Sequence, residues 1–273
     1  MSATLVVKCG GNAAVDPDAV CRDVAGLVLA GRRVVLVHGG SADVEDLSRR
    51  LGVPSRRLVA PDGVSTRHTD AATLEVLQLA LAGAVKPRLV TGLAAAGASA
   101  VGLTGLDGGL LRARRKSAHR AVVDGRTVIV RDNHSGRITG VNGRLLRGLL
   151  AEGHVPVVSP PALAEDGRPV NTDADRVAAA VAAELGATGL VLLTGAAGVL
   201  ADPADETSAR PVLELAGDAL PTGVRGGMAV KLIAGREALA GGVPVVVVAD
   251  GRRAHPVSAA LAGAGTRLVE AAG

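Results

Sequence analysis

Lys8, Gly10 and Gly11 stand directly after the apolar run Leu5-Val6-Val7. Short β-branched runs of this kind read as buried strands. A strand that delivers a lysine and two glycines to the mouth of a sheet suits polyanion binding. Glycine lets backbone N–H groups approach an anion closely, and the lysine adds a full positive charge. On its own the motif is also compatible with a plain glycine turn beside a surface lysine. The order recurs at Val34-Val35-Leu36-Val37, followed by His38, Gly39 and Gly40. In a parallel sheet both glycine pairs would face one crevice at the strand C-termini. His38 is expected to be a neutral histidine that fixes the turn.

Further along, Arg67 precedes Thr69 and Asp70, either of which can cap a helix over 71–82. An arginine ahead of a helix start can clamp a carboxylate, or simply be solvated. Asn171, Asp173 and Asp175 crowd the start of an alanine-rich helix, and one of them suffices as its cap. The cluster also resembles half of a calcium loop, but the glycine and glutamate of its sixth and twelfth positions are replaced by Arg176 and Ala182, which disfavours that reading. Gly226 and Gly227 open another helix with Lys231 one turn in, a second anion-binding end. Arg112, Arg114, Arg115, Lys116 and Arg120 form a basic run. No Phe, Tyr or Trp occurs anywhere to stack on a base, which argues against a single-strand nucleic-acid role. No Ser–His–Asp pattern or zinc-ligand spacing competes, and no metal ligands are expected from the protein.

The elements around these residues alternate. Helices are expected over 17–30, 42–51, 71–82, 85–97 and 143–152, after residue 173, and from residue 226. Asn12 and Asp16 are candidate caps for the first. Buried strands are expected at Val34–Val37, Ala98–Leu103, Val155–Ser159, Leu190–Leu193 and Val243–Val248. Thr127–Arg131 and Arg137–Val141 read as a hairpin, and Thr266–Val269 as a closing edge strand. Hydrophobic rather than alternating strands imply a mostly parallel open sheet covered on both faces, a three-layer αβα sandwich. With 273 residues and a core of Val, Leu and Ala, any adenine site must be aliphatic. Cys9 and Cys21 are too few for a disulfide framework, so a reducing cytoplasm is expected, with Cys9 as small filler. No signal peptide or 18-residue apolar stretch is evident, so no membrane role is expected. His68 is expected at the surface.

The ordered set Lys8-x-Gly-Gly, His38-Gly-Gly, Arg67-x-Thr-Asp, Asn171-x-x-x-Asp175 and Gly-Gly-Met-x-x-Lys231 resembles the amino acid kinase family, from Leu5 to about Leu268. Within it the chain is similar to the acetylglutamate kinase branch. Gly102–Gly108 followed by Arg114-Arg-Lys116, and Val170–Asp175, resemble the kinases that act on 2-aminoadipate or glutamate tethered to a small acidic carrier protein of the LysW type. The resemblance implies a carbamate kinase-like fold with two lobes, 1–186 for the amino acid and carrier and 187–273 for ATP. It implies that Lys8 and Lys231 hold the transferring phosphoryl group and that Asp175 orients them. Gly10, Gly11 and Gly227 would bind phosphate. Gly39, Gly40, Arg67 and Asn171 would bind substrate. ATP, magnesium held mainly by phosphates and water, and a homodimer follow in the same way.

The basic run Arg112, Arg114, Arg115 and Lys116 then gains a role as a landing surface for an acidic carrier. A carboxylate nucleophile is ionised at pH 7 and needs no general base, so the implied chemistry fits an electrostatic site. Phosphorylation of free N-acetylglutamate is the alternative. Two departures stand out: Gly195 where relatives often have an acidic or amide residue, and Lys86-Pro87 where they have Asn-Lys, so helix geometry is expected to change there.

Overall fold

Strand alternation decides which side of the sheet each residue serves. The computed structural model describes residues 3–11, 13–60, 65–123, 126–217 and 220–271; the candidate cap Asn12 lies outside them. In chain order the elements begin β1 (Thr4–Cys9), α1 (Pro17–Leu29), β2 (Arg33–His38) and α2 (Ser41–Arg50). A short hairpin, β3 (Arg57–Val59) and β4 (Ser65–Arg67), leads to α3 (Ala71–Ala80), α4 (Lys86–Ala95) and β5 (Ala100–Gly105). Then follow β6 (Leu111–Arg115), β7 (His119–Val123), β8 (Arg126–Val130), β9 (Gly136–Val141), α5 (Gly143–Ala151), β10 (Val155–Ala164) and β11 (Pro169–Val170). The last part holds α6 (Ala174–Leu185), β12 (Gly189–Thr194), β13 (Val212–Leu215), α7 (Gly226–Ala240), β14 (Val246–Asp250), α8 (Pro256–Leu261) and β15 (Thr266–Glu270).

One large sheet runs in the order β13-β15-β14-β12-β1-β2-β10-β6-β9, with β5 and β11 also paired to β10. Neighbours are parallel except β14–β15, β6–β9 and β10–β11. Val6, Val35 and Val37 face one core with α5, α6 and α7; Leu5, Val7, Cys9, Val34 and Leu36 face the other with α1, α3, α4 and α8. Lys8 shares the parity of Val6, so it points toward α6 and α7. Chain direction across the sheet reverses at β1: β2 lies on one side and β12 on the other. Open α/β sheets bind ligands at such a switch point.

The caps follow the local chemistry. Asp16 accepts from the Asp18 and Ala19 N–H groups at the start of α1. Asp70 accepts from Thr73 N–H, and Asp173 from Asp175 and Arg176 N–H. Asp23 is buried on α1 yet caps α8, accepting from Val257 and Ser258 N–H and the Ser258 hydroxyl.

Several expectations are corrected. The helices expected over 71–82 and 85–97 are joined by a π-helical turn, Leu81–Val85, directly before Pro87. Proline has no N–H and its ring crowds the carbonyl four residues back, so the widened turn accommodates it. The joined Ala71–Ala95 has a mean hydropathy of 1.2 and passes the length and composition test for a membrane span, unlike the sequence expectation. It nevertheless packs one face on the core and buries Lys86.

Thr127–Arg131 and Arg137–Val141 do not pair. β8 pairs with β7, while β9 pairs with β6 at the sheet edge. Thr266–Val269 is not an edge: β15 is covered by β13, whose short run Val212–Leu215 gave little sequence signal. The Val243–Val248 strand begins at Val246, since Val243 and Val245 precede it in a loop.

Candidate functional site

Lys8 ends β1, Asp175 lies in the first turn of α6, and Lys231 lies early in α7. Packing of α6 and α7 over the β1 C-terminus brings the three together. Asp175 Oδ1 is 3.1 Å from Lys8 Nζ. Its Oδ1 and Oδ2 are 3.2 and 3.1 Å from Lys231 Nζ. All three side chains are buried. Burial works against the charge on Lys8, but Asp175 and Asp173 outweigh it and hold the ammonium above its usual range. Burial and the neighbouring Lys8 push Lys231 down. Burial would raise the Asp175 carboxyl, yet the two ammoniums keep it below the usual carboxylate range. One carboxylate thus serves two lysines, and Lys231 is left short of negative charge. An arriving phosphoryl oxygen would supply it.

The two glycine turns meet above this trio. A side chain on Gly11 would place its Cβ 2.5 Å from Gly40 N and 2.8 Å from Ser41 N, so only glycine permits the approach. Ala42 N–H and the Ser41 hydroxyl both donate to Gly11 O, at 3.0 and 2.8 Å. The N-termini of α2, α6 and α7 converge here, each with a positive dipole end. Lys8, Gly10, Gly11, Gly39, Gly40, Asn171, Asp173, Asp175, Gly227 and Lys231 all line one cleft of about 1070 Å³.

The cleft's other end is polar and pre-ordered. Arg67 donates to Ser55 Oγ (2.7 Å), Ser41 O (3.4 Å) and Glu45 Oε1 (3.2 Å). Asn171 Nδ2 donates to Thr69 Oγ1. Asn133, fully buried, accepts from Thr69 N–H and donates to Ser135 Oγ. His68 is buried rather than at the surface, with Nε2 3.2 Å from Asp132 Oδ1. These links tie the Arg67 loop to the Asp132–Ser135 loop and to the start of α6. The layer built by His68, Asn133 and Ser135 was missed in sequence, since its contacts bridge about 64 residues and carry no local spacing signal.

The arrangement is suited to hold a polyanion at one end and has an arginine placed where it could take a carboxylate at the other. A family model described as "Amino acid kinase family" matches residues 3–250. This chain belongs to that family. It is 40% identical over 271 residues to "[LysW]-aminoadipate kinase" of Deinococcus radiodurans, covering 96% of this chain and 90% of that protein. It is 39% identical over 274 residues to "Acetylglutamate kinase" of a Synechococcus strain, covering 97% and 83%. A solved structure of N-acetylglutamate synthase from Neisseria gonorrhoeae is 25% identical with a TM-score of 0.76, covering 99% of this chain and 60% of that longer one. Carbamate kinase from Giardia shares the fold, with a TM-score of 0.67 at 14% identity over 98% of this chain and 99% of that one.

In this amino acid kinase His38 has the structural role expected of it. It is buried, its Nδ1 lies 2.9 Å from Gly39 O, and burial pushes its imidazole down to about 4, helped by the nearby Lys86, Arg88 and Lys8. Neutral, it donates from Nδ1 and holds the Gly39-Gly40 turn. The unfolded state binds this proton below about pH 6.5 and the folded state only below about 4. His38 therefore costs stability as pH falls through that window, up to about 3 kcal/mol. Chemical denaturation at pH 7 and pH 4.5 should show a larger loss for the wild type than for His38→Asn, whose amide can donate without titrating.

Cys9 is buried filler with its thiol pushed up to about 11 by burial, so it is not a nucleophile at neutral pH. The basic run divides. Arg112 and Arg114 project from the exposed side of β6, Arg115 N–H donates to Glu165, and of the four only Lys116 lines the cleft. Arg57, Arg120 and Arg137 also line it.

Proposed function

We propose that this kinase uses ATP to phosphorylate the side-chain carboxylate of L-2-aminoadipate, or glutamate, carried on the amino group of an acidic carrier protein. The product is an acyl phosphate in lysine- or arginine-type, or specialised, amino acid biosynthesis. The observation that carries the reading is the buried Lys8–Asp175–Lys231 trio beneath two glycine turns, in a chain 40% identical to LysW-aminoadipate kinases.

The substrate carboxylate is already ionised, so the barrier is the approach of an anion to a polyanion. Lys8 sits at the switch point, where the carboxylate and the γ-phosphoryl group must meet. Lys231 lies on the α7 side and follows the phosphoryl charge toward the leaving ADP. Asp175 keeps both ammoniums aimed into the cleft. N–H groups of Gly10, Gly11, Gly39, Gly40 and Gly227 take the phosphoryl oxygens. Arg67 and Asn171 hold the substrate's main-chain end, its carboxylate replacing the exposed Glu45 on Arg67.

ATP lies over 187–273 and the amino acid over 1–186. Asp175 is taken up by the two lysines. That fits Mg2+ held mainly by phosphates and water, where it neutralises phosphate charge. A homodimer is supported by the outer side of Ala71–Ala95, where Leu79, Ala82 and Ala94 are exposed. We place the enzyme in the cytoplasm, with its two unpaired cysteines.

Arg67→Ala should raise the KM for the amino acid substrate about 10- to 100-fold, the worth of a charge-assisted hydrogen bond of about 1.5–3 kcal/mol, and leave the KM for ATP unchanged. Steady-state kinetics with each substrate varied in turn would show it. The reading itself is tested by trapping the acyl phosphate as its hydroxamate. Free N-acetylglutamate, free N-acetyl-2-aminoadipate and both amino acids on an acidic carrier are compared. Activity confined to the carrier-bound forms supports the reading. Activity on free N-acetylglutamate alone overturns it in favour of acetylglutamate kinase.

A further inference from the structure

Among the described residues β7 and β8 pair only with each other, in a two-stranded sheet separate from the main one. In an antiparallel pair, residues opposite one another share a face. Here His119 is opposite Val130 and Ala121 opposite Val128, while Arg120 is opposite Ile129 and Val122 opposite Thr127. The first face is turned inward through β7, where Ala121 is fully buried and His119 Nε2 lies 3.3 Å from Ser135 Oγ, while Val128 on β8 is 37% exposed. The second face turns outward and is apolar at its centre. Ile129 is 60% exposed and Val122 37%. Arg120, directly across from Ile129, also lines the reaction cleft, so this outward face continues the cleft's mouth.

Charge singles out the same segment. From Leu111 to Gly140 the chain carries eight arginines and lysines against two aspartates, a net +6 in a chain whose total is +4. The rest of the molecule is therefore net acidic. A positive segment around an exposed β-branched pair, at the mouth of the cleft, has the make-up of an interface core with a charged rim. We infer that the outward face of this hairpin, Arg120, Val122, Thr127 and Ile129, docks the folded body of an acidic carrier protein whose modified chain end enters the cleft. This rests on the carrier-bound reading above. It also moves the docking surface from the β6 arginines to the hairpin. Carboxylates on the carrier would be steered by Arg120, Arg126 and Arg131, while Ile129 and Val122 supply the dry contact that slows dissociation.

The test is Ile129→Glu, with Arg126→Glu as a second variant that changes charge at an exposed site. Both are assayed with carrier-bound 2-aminoadipate. Each should raise the KM for the carrier-bound substrate at least 10-fold, with kcat, the KM for ATP and the melting temperature unchanged. An unchanged KM for the carrier-bound substrate in both variants would overturn the docking face. So would a shift of Ile129→Glu from dimer to monomer in sedimentation, which would assign the face to a second copy of this chain. A wild-type enzyme that turns over only free acetylated substrate overturns the carrier reading itself, and the docking face with it, through a different assay.

Discussion

In the Lys8→Ala enzyme, turnover is expected to fall by about 10²–10³-fold, the loss seen when one preorganised donor to a developing charge is removed, about 2.7–4 kcal/mol. Lys231→Ala should fall in the same range. The Lys8 change leaves Asp175 paired to Lys231 at 3.1 Å and removes a buried cation, so the melting temperature should hold or rise. The KM for ATP should change less than kcat, because the lysine acts mainly where charge develops. Hydroxamate formation under saturating substrates, read beside a thermal melt, measures both effects. An active Lys8→Ala enzyme would remove the basis of the site assignment.

The largest stability effect is expected at Asp175. Replacing it by alanine leaves Lys8 and Lys231 buried and facing each other without their shared counter-ion. Breaking a buried pair in this way costs about 3–5 kcal/mol, on the order of 10 °C in melting temperature for a chain of this size. Catalysis should fall with it, since both ammoniums lose their aim. The double variant Lys8→Met/Asp175→Ala separates the causes. It should recover part of the stability, because one of the two uncompensated buried charges is gone, and recover none of the activity. If Asp175→Ala melts like the wild type, the trio is not a coupled electrostatic unit.

Much of this site was legible before the structure because its parts are local. A strand followed by Lys8 and two glycines, a second strand followed by His38 and two glycines, and carboxylates crowding a helix start each announce themselves within ten residues. Their convergence follows from parallel pairing of β1 with β2 and β12. What escaped depends on distant partners. His68 read as surface because Asp132, which lies 64 positions away, gives no local hint. The Asn171–Thr69 bond crosses 102 positions. The hairpin assigned to 127–141 failed because Asp132–Gly136 looked like a turn. It is instead the loop that carries Asn133 and Ser135 to the Arg67 end of the cleft, and the pairing of β7 with β8 won. The basic run was read as one surface; Arg112 and Arg114 stand on the exposed side of β6, while Lys116, just past the end of that strand, lines the cleft.

The central claim is that a substrate carboxylate, not water, attacks the γ-phosphoryl group at the Lys8–Asp175–Lys231 site. The most direct measurement uses carrier-bound 2-aminoadipate labelled with 18O in its side-chain carboxylate, with ATP and hydroxylamine. Hydroxylamine attacks the carbonyl carbon of the acyl phosphate and expels phosphate that keeps the bridging oxygen. The account predicts that the released phosphate carries one 18O from the substrate, detected by mass or by the 31P isotope shift. Unlabelled phosphate would mean that water was the nucleophile and would contradict it.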